Sequence, residues 1–347
     1  MSNLSAKPQT IKEINSSLVK NTLKKLGSAT RAQLSEVSGI SPTTVKSLLG
    51  ELIKSKEVIR LGLDESSGGR RAGRYALNLD ESLALTFYIR NNLIHYSISN
   101  PLRKVLEYKC IEISSFNYIQ EIESIIAEII KTNNNIKAIG IAVPGIVDIY
   151  KKKYLAGKKL NDWQTINIGE YIESKFNIPV ILENDLNAIA FGYSLNLMEL
   201  LHVSDLNILN MIYIHFTEAG TGAGIIANGE LVRGSSKYAG ELAFIPINKN
   251  QHLQALIDSN PDDISYIDAV CRVIASINCI LNPGMVVIGG ESFRFELIDK
   301  IKENCESYIP KEVLPDIYLS EDSVKDCFTG ITEFTLKLMY SGVKLIK

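Results

Sequence analysis

Two short segments contain the residue types that could bind or activate a small polyol. Asn184-Asp185 places an amide beside a carboxylate at the end of a β-branched run, where the pair could hold sugar hydroxyls and Asp185 could act as a general base. A helical pattern follows at once, so a helix N-cap is the competing interpretation, and both can hold together. Glu241, which follows Gly240, is on its own typical of a solvated surface residue.

The glycine-rich run at 220–224 is a third candidate, with two interpretations. Glycines expose backbone N–H groups that can cradle an anion. The run is not a Walker P-loop, because no Gly-Lys-Ser/Thr follows it. A glycine-rich hairpin turn is the more common origin of such a run.

Polar residues in the first 80 positions suit a polyanion such as DNA. Ser41-Pro42 predicts a helix start, whose positive end and small hydroxyls favour phosphates and base edges. Arginines at a glycine-rich tip can enter a narrow minor groove. The predicted DNA contacts are the polar residues at the helix starts and at this tip: Arg31, Ser41, Thr43, Thr44, Lys46, Ser47, Arg70 and Arg71.

Three predicted helices and two predicted strands position these contacts. The first helix ends at Gly27, and the pair Thr30 and Gln33 matches a capping box that starts the second, with Leu34 and Val37 facing the core. The strands 58–61 and 75–77 flank the arginine tip. The third helix has one apolar face, formed by Val45, Leu48, Leu49, Leu52 and Ile53. The pattern predicts a winged helix-turn-helix.

From residue 81 the pattern changes to strands alternating with helices, which predicts α/β layers with ligands at the carboxyl ends of strands. The predicted helices cover 118–131 and a segment from about residue 187. The predicted strands cover 83–89, 93–99, 105–110, 136–143, 178–182, 212–216, 224–227 and 286–288.

Composition places the chain among ordinary globular proteins. Its 347 residues are 46% hydrophobic and 22% charged, with a net charge of −2, which suits two or three domains. Basic residues predominate in 1–80 and acidic residues in the remainder, as expected if only the head meets an anionic polymer. No stretch of about 20 apolar residues and no secretory signal is evident, so we expect a cytoplasmic protein without a membrane contact.

The five cysteines form no C-x-x-C pair, which argues against a disulfide framework and a zinc site and favours buried free thiols.

The order and spacing of the motifs resemble the ROK family of repressors and sugar kinases, in particular its transcription-factor branch. The resemblance spans nearly the whole chain. In the body it is carried by Val143-Pro144-Gly145-Ile146-Val147-Asp148, Trp163, Glu183-Asn184-Asp185, the run 220–224, Gly229 with Arg233-Gly234, Ala239-Gly240-Glu241, and Leu281-Asn282-Pro283 with Val287-Ile288-Gly289-Gly290.

The resemblance implies an α/β fold in which a winged helix-turn-helix precedes a two-lobed actin-like ATPase (ribonuclease-H-like) body. The implied domains are 1–80 for the head, 81–195 for the first lobe and 196–329 for the second, with a C-terminal helix at 330–347 returning to the first lobe. It also implies an effector cleft between the lobes, contacted by Gly145, Asn184, Asp185 and Glu241.

Two departures from the family pattern bear on activity. Kinase members carry an Asp-x-Gly-Gly loop for ATP phosphates, and here Tyr88 and Arg90 stand at its aspartate and glycine positions, so we expect no catalysis and keep Asp185 only as a residual base position. Family members usually bind zinc through a histidine and a cysteine cluster. Phe244 occupies that histidine position, so we expect no metal and no cofactor.

The hypothesis is therefore a DNA-binding regulator, most simply a repressor of carbohydrate-utilisation genes. It would bind operator DNA as a homodimer or homotetramer and sense a sugar or sugar derivative. The alternative is an ATP-dependent sugar kinase with an accessory head, which Asp185 favours and Tyr88, Arg90 and Phe244 oppose. A constitutive DNA-binding protein whose body only dimerises is the third possibility.

Overall fold

The structure, a computed structural model, describes residues 8–63, 72–90, 92–113, 118–157, 164–203 and 209–341. Arg70, Arg71 and Trp163 lie outside the described residues, so the arginine tip stays a sequence prediction.

The N-terminal part combines helices with a small antiparallel sheet of order β1-β3-β2. Its core is formed by side chains of all three helices and of the sheet. The described elements are α1 (Pro8–Leu26), β1 (Ser28–Thr30), α2 (Arg31–Ser38), α3 (Pro42–Lys54), β2 (Val58–Leu63) and β3 (Gly73–Leu77).

Local capping explains where α2 and α3 begin. The Thr30 side chain accepts from the backbone N–H of Gln33 while the Gln33 side chain accepts from that of Thr30, which confirms the capping box. Ser41 caps α3 as predicted. Two core predictions are wrong: Val37 is 52% exposed and Ile53 is 40% exposed, because the core of this small unit covers only one narrow stripe of each helix.

A first mixed sheet of five described strands follows, in the order β11-β7-β4-β5-β6. β4, β7 and β11 run parallel, whereas β4, β5 and β6 form an antiparallel meander. A smaller sheet, β10-β9-β8, lies beside it. The elements are β4 (Leu83–Arg90), β5 (Leu93–Ser99), β6 (Val105–Glu112), α4 (Tyr118–Thr132), β7 (Ile136–Val143), β8 (Ile146–Asp148), β9 (Lys153–Ala156), β10 (Gln164–Ile166), α5 (Ile168–Phe176), β11 (Val180–Asn184) and α6 (Asp185–Leu201).

A second mixed sheet of five described strands has the order β14-β13-β12-β17-β18, with α8 and α9 packed in its core. The elements are β12 (Met211–Thr217), β13 (Gly220–Ala227), β14 (Glu230–Leu231), a 3-10 turn (Leu242–Phe244), β15 (Pro246–Asn248), β16 (Gln251–His252), α7 (Leu253–Asp258), α8 (Asp263–Leu281), β17 (Met285–Gly289), a 3-10 turn (Phe295–Leu297), α9 (Ile298–Cys305), a 3-10 turn (Lys311–Val313), β18 (Asp316–Leu319) and α10 (Ser323–Ser341).

The two sheets meet through α6 and α10. These helices pack on each other, and their buried side chains form one core with residues of both sheets. α10 also packs on β4 and β7 of the first sheet and contacts α1 of the N-terminal unit. α10 therefore contacts the N-terminal unit, the first sheet and α6.

The glycine-rich run forms a strand. Residues 220–224 lie in β13, which pairs with β12 as an antiparallel hairpin. The predicted hairpin is confirmed, but its turn is at 218–219, before the glycine-rich run. A Cβ on Gly224 would lie 2.3 Å from the Leu186 carbonyl oxygen and 2.4 Å from the Ala190 Cβ. The glycines thus let β13 approach α6 closely.

Two other sequence expectations change in detail. Cys271, Cys305 and Cys327 are buried free thiols, but Cys110 and Cys279 are exposed. Of the described helices, α8 is long and apolar enough to cross a membrane, judged by its length and composition alone. Half of this helix is buried in the protein, and its buried side chains pack against the second five-stranded sheet, as those of a core helix do.

Candidate functional site

A cavity lies where the carboxyl end of β11 faces the hairpin and turn of the second sheet. It encloses about 340 Å³, including the part open to solvent. Three of the four predicted contacts, Gly145, Asn184 and Glu241, line it together, and Asp185 stands between two lining residues. The full lining is Gly145, Val147, Asn184, Leu186, Asn187, Ala223, Arg233, Lys237, Ala239, Gly240 and Glu241.

Gly145 contributes backbone rather than a side chain. Its φ is +113°, and a Cβ there would lie 2.3 Å from the Leu155 carbonyl oxygen. Its own carbonyl accepts from the Asn184 amide at 2.9 Å, which ties the loop after β7 to the end of β11. The glycine therefore allows the close approach that shapes one wall of the cavity.

Asn184 is the N-cap of α6. Its side-chain oxygen accepts from the Asn187 backbone N–H at 2.9 Å, and its amide donates to Gly145 and Asp185. The cap interpretation is thus confirmed for Asn184, whose side chain is engaged on both atoms. Asp185 accepts two hydrogen bonds on Oδ1, one from the Leu186 N–H at 2.9 Å and one from the Asn184 amide.

Asp185 and Glu241 form a pair of acidic groups that resist ionisation. Burial raises the pKa of Asp185 to about 6, against the hydrogen bond from the Leu186 N–H and the positive charge of Arg90. Burial raises the pKa of Glu241 to about 7, and the neighbouring Asp185 charge raises it further. Near neutral pH the Glu241 carboxyl can therefore donate as well as accept a hydrogen bond, whereas Asp185 is mostly ionised and accepts.

Sequence reasoning assigned no role to Arg233 and Lys237, which also line the cavity. Arg233 pairs with Glu183, a carboxylate that is 1% exposed and also accepts from the backbone of Asn184 and the side chain of Asn187, both at 3.0 Å. The Arg233 Nε is buried without a partner among the described residues. A fully buried carboxylate such as Glu183 needs a positively charged partner. The position of Glu183 in the family motif was therefore the sequence signal that could have predicted a basic partner.

The strand end at which the family carries its phosphate loop has a different composition. Tyr88 is buried, with its ring stacked on His95 at 5.8 Å. Arg90 pairs with Glu291, from the loop after β17, and donates to the Ser323 hydroxyl at 3.3 Å. Next to this pair, burial lowers the pKa of His215 to about 4, so its ring is neutral at physiological pH.

The residues at the family's zinc position do not fit a metal. Phe244 packs its ring between Tyr238 and His252, at 5.9 Å from each. His252 uses Nδ1 to accept from the Ala255 N–H at the start of α7. Among the described residues, no group of three or more histidine, cysteine, aspartate or glutamate side chains could hold a metal ion.

Of the predicted DNA contacts in the described part of the N-terminal unit, all are exposed except Thr44, which is half-buried. Thr43, Lys46 and Ser47 are exposed on α3, and Arg31 is exposed at the first turn of α2. Ser41 and Thr44 share a hydrogen bond of 2.8 Å between their hydroxyls, and Ser41 also accepts from the Thr44 N–H. These two hydroxyls therefore support the helix start as well as facing solvent.

The chain is similar in sequence to a family profile and to known proteins. A profile described as the ROK family matches residues 97–255. The xylose repressor of Bacillus spizizenii is 31% identical over 249 residues, which is 69% of this chain but only 62% of that repressor. A relative from Caldicellulosiruptor sp. (strain Rt8B.4) is 30% identical over 330 residues, covering 92% of this chain and 72% of its own length.

Solved structures share the fold. The crystal structure of a ROK family transcriptional regulator, described as a homologue of the E. coli MLC protein, superposes with a TM-score of 0.70 over 96% of this chain and 98% of that one, at 18% identity. A ROK family glucokinase from Streptomyces griseus, in complex with glucose and AMPPNP, has a TM-score of 0.54 over 73% of this chain and 99% of that one, at 16% identity. The body therefore has an α/β sugar-kinase-like fold built on mixed sheets.

Proposed function

The chain belongs to the ROK family, and from this premise we propose that it is a sugar-responsive DNA-binding regulator, acting as a repressor of carbohydrate-utilisation genes in the cytoplasm. The name of the Bacillus spizizenii relative makes xylose the first sugar to test. We also propose the finer division of the fold: a winged helix-turn-helix over 1–80, and two actin-like lobes over 81–195 and 196–329 with the C-terminal helix on the first.

The effector would bind in the cavity through Gly145, Asn184, Asp185 and Glu241. Asp185 and Glu241 offer carboxyls whose pKa values are raised to about 6 and about 7. The buried Nε of Arg233 has no partner among the described residues, and leaving a buried donor unpaired costs about 1–3 kcal/mol. Sugar hydroxyls both donate and accept, so a carbohydrate would satisfy all three groups.

Operator DNA would bind along α3 and the wing. Lys46, Thr43 and Ser47 are exposed at the N-terminal half of α3, where the helix end carries a partial positive charge. Arg31 would reach the phosphate backbone from α2. Arg70 and Arg71 keep their predicted role in the minor groove, and a homodimer or homotetramer would place two such units on two half-sites.

The observation that carries the proposal is the physical continuity between the cavity and the DNA-binding unit through α10. The guanidinium of Arg233, which lines the cavity, lies 5.9 Å from the Phe334 ring centroid on α10. Glu333, the residue before Phe334, pairs with Lys24 of α1 at 2.7 Å. Lys20 lies over the Tyr340 ring at 4.8 Å, further along α10.

Because Arg233 also holds Glu183, a ligand that moves its guanidinium would shift α10 and with it α1. Coupling of this kind needs only a ligand that binds one arrangement of the helices more tightly than the other. The coupling free energy between two such sites is typically about 1–3 kcal/mol.

The test is fluorescence anisotropy of the full chain on its upstream intergenic DNA at about 150 mM salt, since affinities without a stated salt are uninterpretable. We expect sequence-selective binding that one sugar of a panel weakens about 5- to 150-fold. Lys24→Ala should shrink that sugar response while the sugar affinity of the DNA-free protein stays unchanged. Lys25→Ala, its exposed neighbour, is the matched control. Binding equal on operator and random DNA would refute the proposal.

We propose further that the body does not transfer phosphate. Arg90 at the end of β4 is held by Glu291 and Ser323, and its side chain occupies space where a phosphate loop needs free backbone N–H groups. An assay for ADP release with Mg-ATP and common hexoses and pentoses should remain at background. Release that requires Asp185 would instead support the kinase alternative.

A further inference from the structure

Groups of opposite charge lie in separate parts of the cavity. Glu241 lines it, and burial together with the Asp185 charge raises the pKa of Glu241, with no positive charge of the described residues opposing the rise. A nearby ammonium would lower that pKa. Lys237 also lines the cavity, so its ammonium lies away from the two carboxyls.

Lys237 is the cation of the cavity wall whose charge is unmatched. The other lining cation, Arg233, pairs with Glu183. Within the described ranges no carboxylate pairs with Lys237, and its ammonium lies 5.9 Å from the centroid of the Tyr150 ring. Tyr150 is 59% exposed, and a cation–π contact at an exposed ring is weak. The ammonium is therefore available to a negatively charged ligand.

The backbone conformation at Lys237 is unfavourable for a lysine. Its φ is +64°, in the left-handed region, and its N–H donates to the Gly234 carbonyl at 3.4 Å. A glycine adopts this conformation without steric cost, whereas a residue with a Cβ loses stability there. Strained backbone of this kind is concentrated at binding sites. The strain therefore supports a role for this side chain in binding.

The contact between Lys237 and Tyr150 lies at the outer edge of the cavity. Tyr150 follows β8, beside the first sheet, and Lys237 follows β14 of the second sheet. The Tyr150 N–H donates to the Asp148 carboxylate at 3.1 Å, which fixes the turn that carries the ring. Tyr150 is exposed and is not itself part of the cavity lining, so the ammonium over its ring faces the solvent side.

A sugar acid matches this separation of charge. The hydroxyls of a monosaccharide suit Asp185 and Glu241, whose carboxyl oxygens accept hydrogen bonds. A single carboxylate on the other end of the sugar suits Lys237, because an ammonium acts as one compact point charge. A phosphate ester carries about two negative charges and three acceptor oxygens, which is more than one ammonium can satisfy.

We propose that the effector is a monosaccharide with one carboxylate, a uronate, whose hydroxyls bind at Asp185 and Glu241 and whose carboxylate binds the Lys237 ammonium. This inference rests on the proposed function and deepens it by naming the class of ligand. Lys237 joins the effector-binding residues as the one that sets the preference for a charged sugar.

Calorimetric titration of the full chain without DNA, at about 150 mM salt, measures this preference. D-xylose, D-glucose, D-glucuronamide and D-glucuronate share their ring hydroxyls and differ at C5, which carries only hydrogen, a hydroxymethyl group, an amide or a carboxylate. We expect the glucuronate to bind at least about tenfold more tightly than the neutral amide of the same size. L-arabinose, D-galactose, D-galacturonamide and D-galacturonate repeat the series with the opposite configuration at C4.

Substitution of Lys237 separates binding from structure. Lys237→Gln removes the charge and should abolish the preference for the acid over its amide, with the affinity for the neutral sugars unchanged. Lys237→Gly should abolish it too without lowering the urea midpoint, since glycine tolerates the left-handed backbone. A merely structural side chain would lower that midpoint. Lys300→Gln, an exposed change on α9, is the control and should keep the preference.

Three results would overturn the ligand class and leave the proposed effector cavity standing, because a sugar still binds. They are an amide that binds as tightly as its acid, a preference for the acid that survives Lys237→Gln, and glucose 6-phosphate that binds more tightly than glucuronate. Binding of no sugar in either series would overturn both the ligand class and the effector site.

Discussion

Replacing Glu241 by glutamine should stabilise the folded chain and weaken its effector binding. Burial and the Asp185 charge raise the pKa of Glu241 from its ordinary value of 4.5 to about 7. At about 1.36 kcal/mol per pKa unit this corresponds to about 3 kcal/mol, and the partial exposure of the side chain reduces it to about 2 kcal/mol. The ionised carboxylate destabilises the fold by that amount.

The sign of the pH dependence follows from proton binding. Between pH 4.5 and 7 the folded chain holds a proton on Glu241 that the unfolded chain has lost, so stability falls as pH rises through this window. Above pH 7 both states are ionised and the full destabilisation is present. Glutamine is neutral at every pH, so its gain should be about 2 kcal/mol at pH 8 and below about 1 kcal/mol at pH 5.

Urea unfolding at pH 5 and pH 8 measures the stability change, and calorimetric titration with the responding sugar measures affinity. Loss of a charged hydrogen-bond acceptor should weaken the sugar by about 10- to 100-fold. Glu230→Gln, an exposed change on β14, should alter neither quantity. A Glu241→Gln chain that is less stable at pH 8, or equally changed at both pH values, would refute the assignment of burial as the cause.

Three further outcomes are expected. Lys46→Ala should weaken DNA binding and reduce the slope of log K against log salt by about 1 without changing the preferred operator, whereas Lys54→Ala at the far end of α3 should not. Gly224→Ala should lower the free energy of unfolding by about 1–3 kcal/mol because its Cβ would meet α6, whereas Gly284→Ala, whose nearest contact is 3.7 Å, should cost much less. Thr30→Ala should cost about 1 kcal/mol through the lost cap, seen by denaturant unfolding.

Part of the site followed from local sequence, and part did not. The strand end at Asn184 and the helix after it were readable from a β-branched run followed by a capping residue. The turn before Glu241 was found only through the order of family motifs. Arg233 was given no role, because nothing near it in the chain marks Glu183, 50 residues away, as its partner.

What the sequence alone determined is local: the caps at Thr30 and Ser41, the β12–β13 hairpin and the three consecutive strands β4, β5 and β6. Their decisive bonds join residues close in the chain, so residue type and spacing specify them. Tertiary structure alone decided that α10 packs in the core shared by the two five-stranded sheets and that it contacts α1. Those outcomes depend on which distant surfaces pack together, which no short pattern encodes.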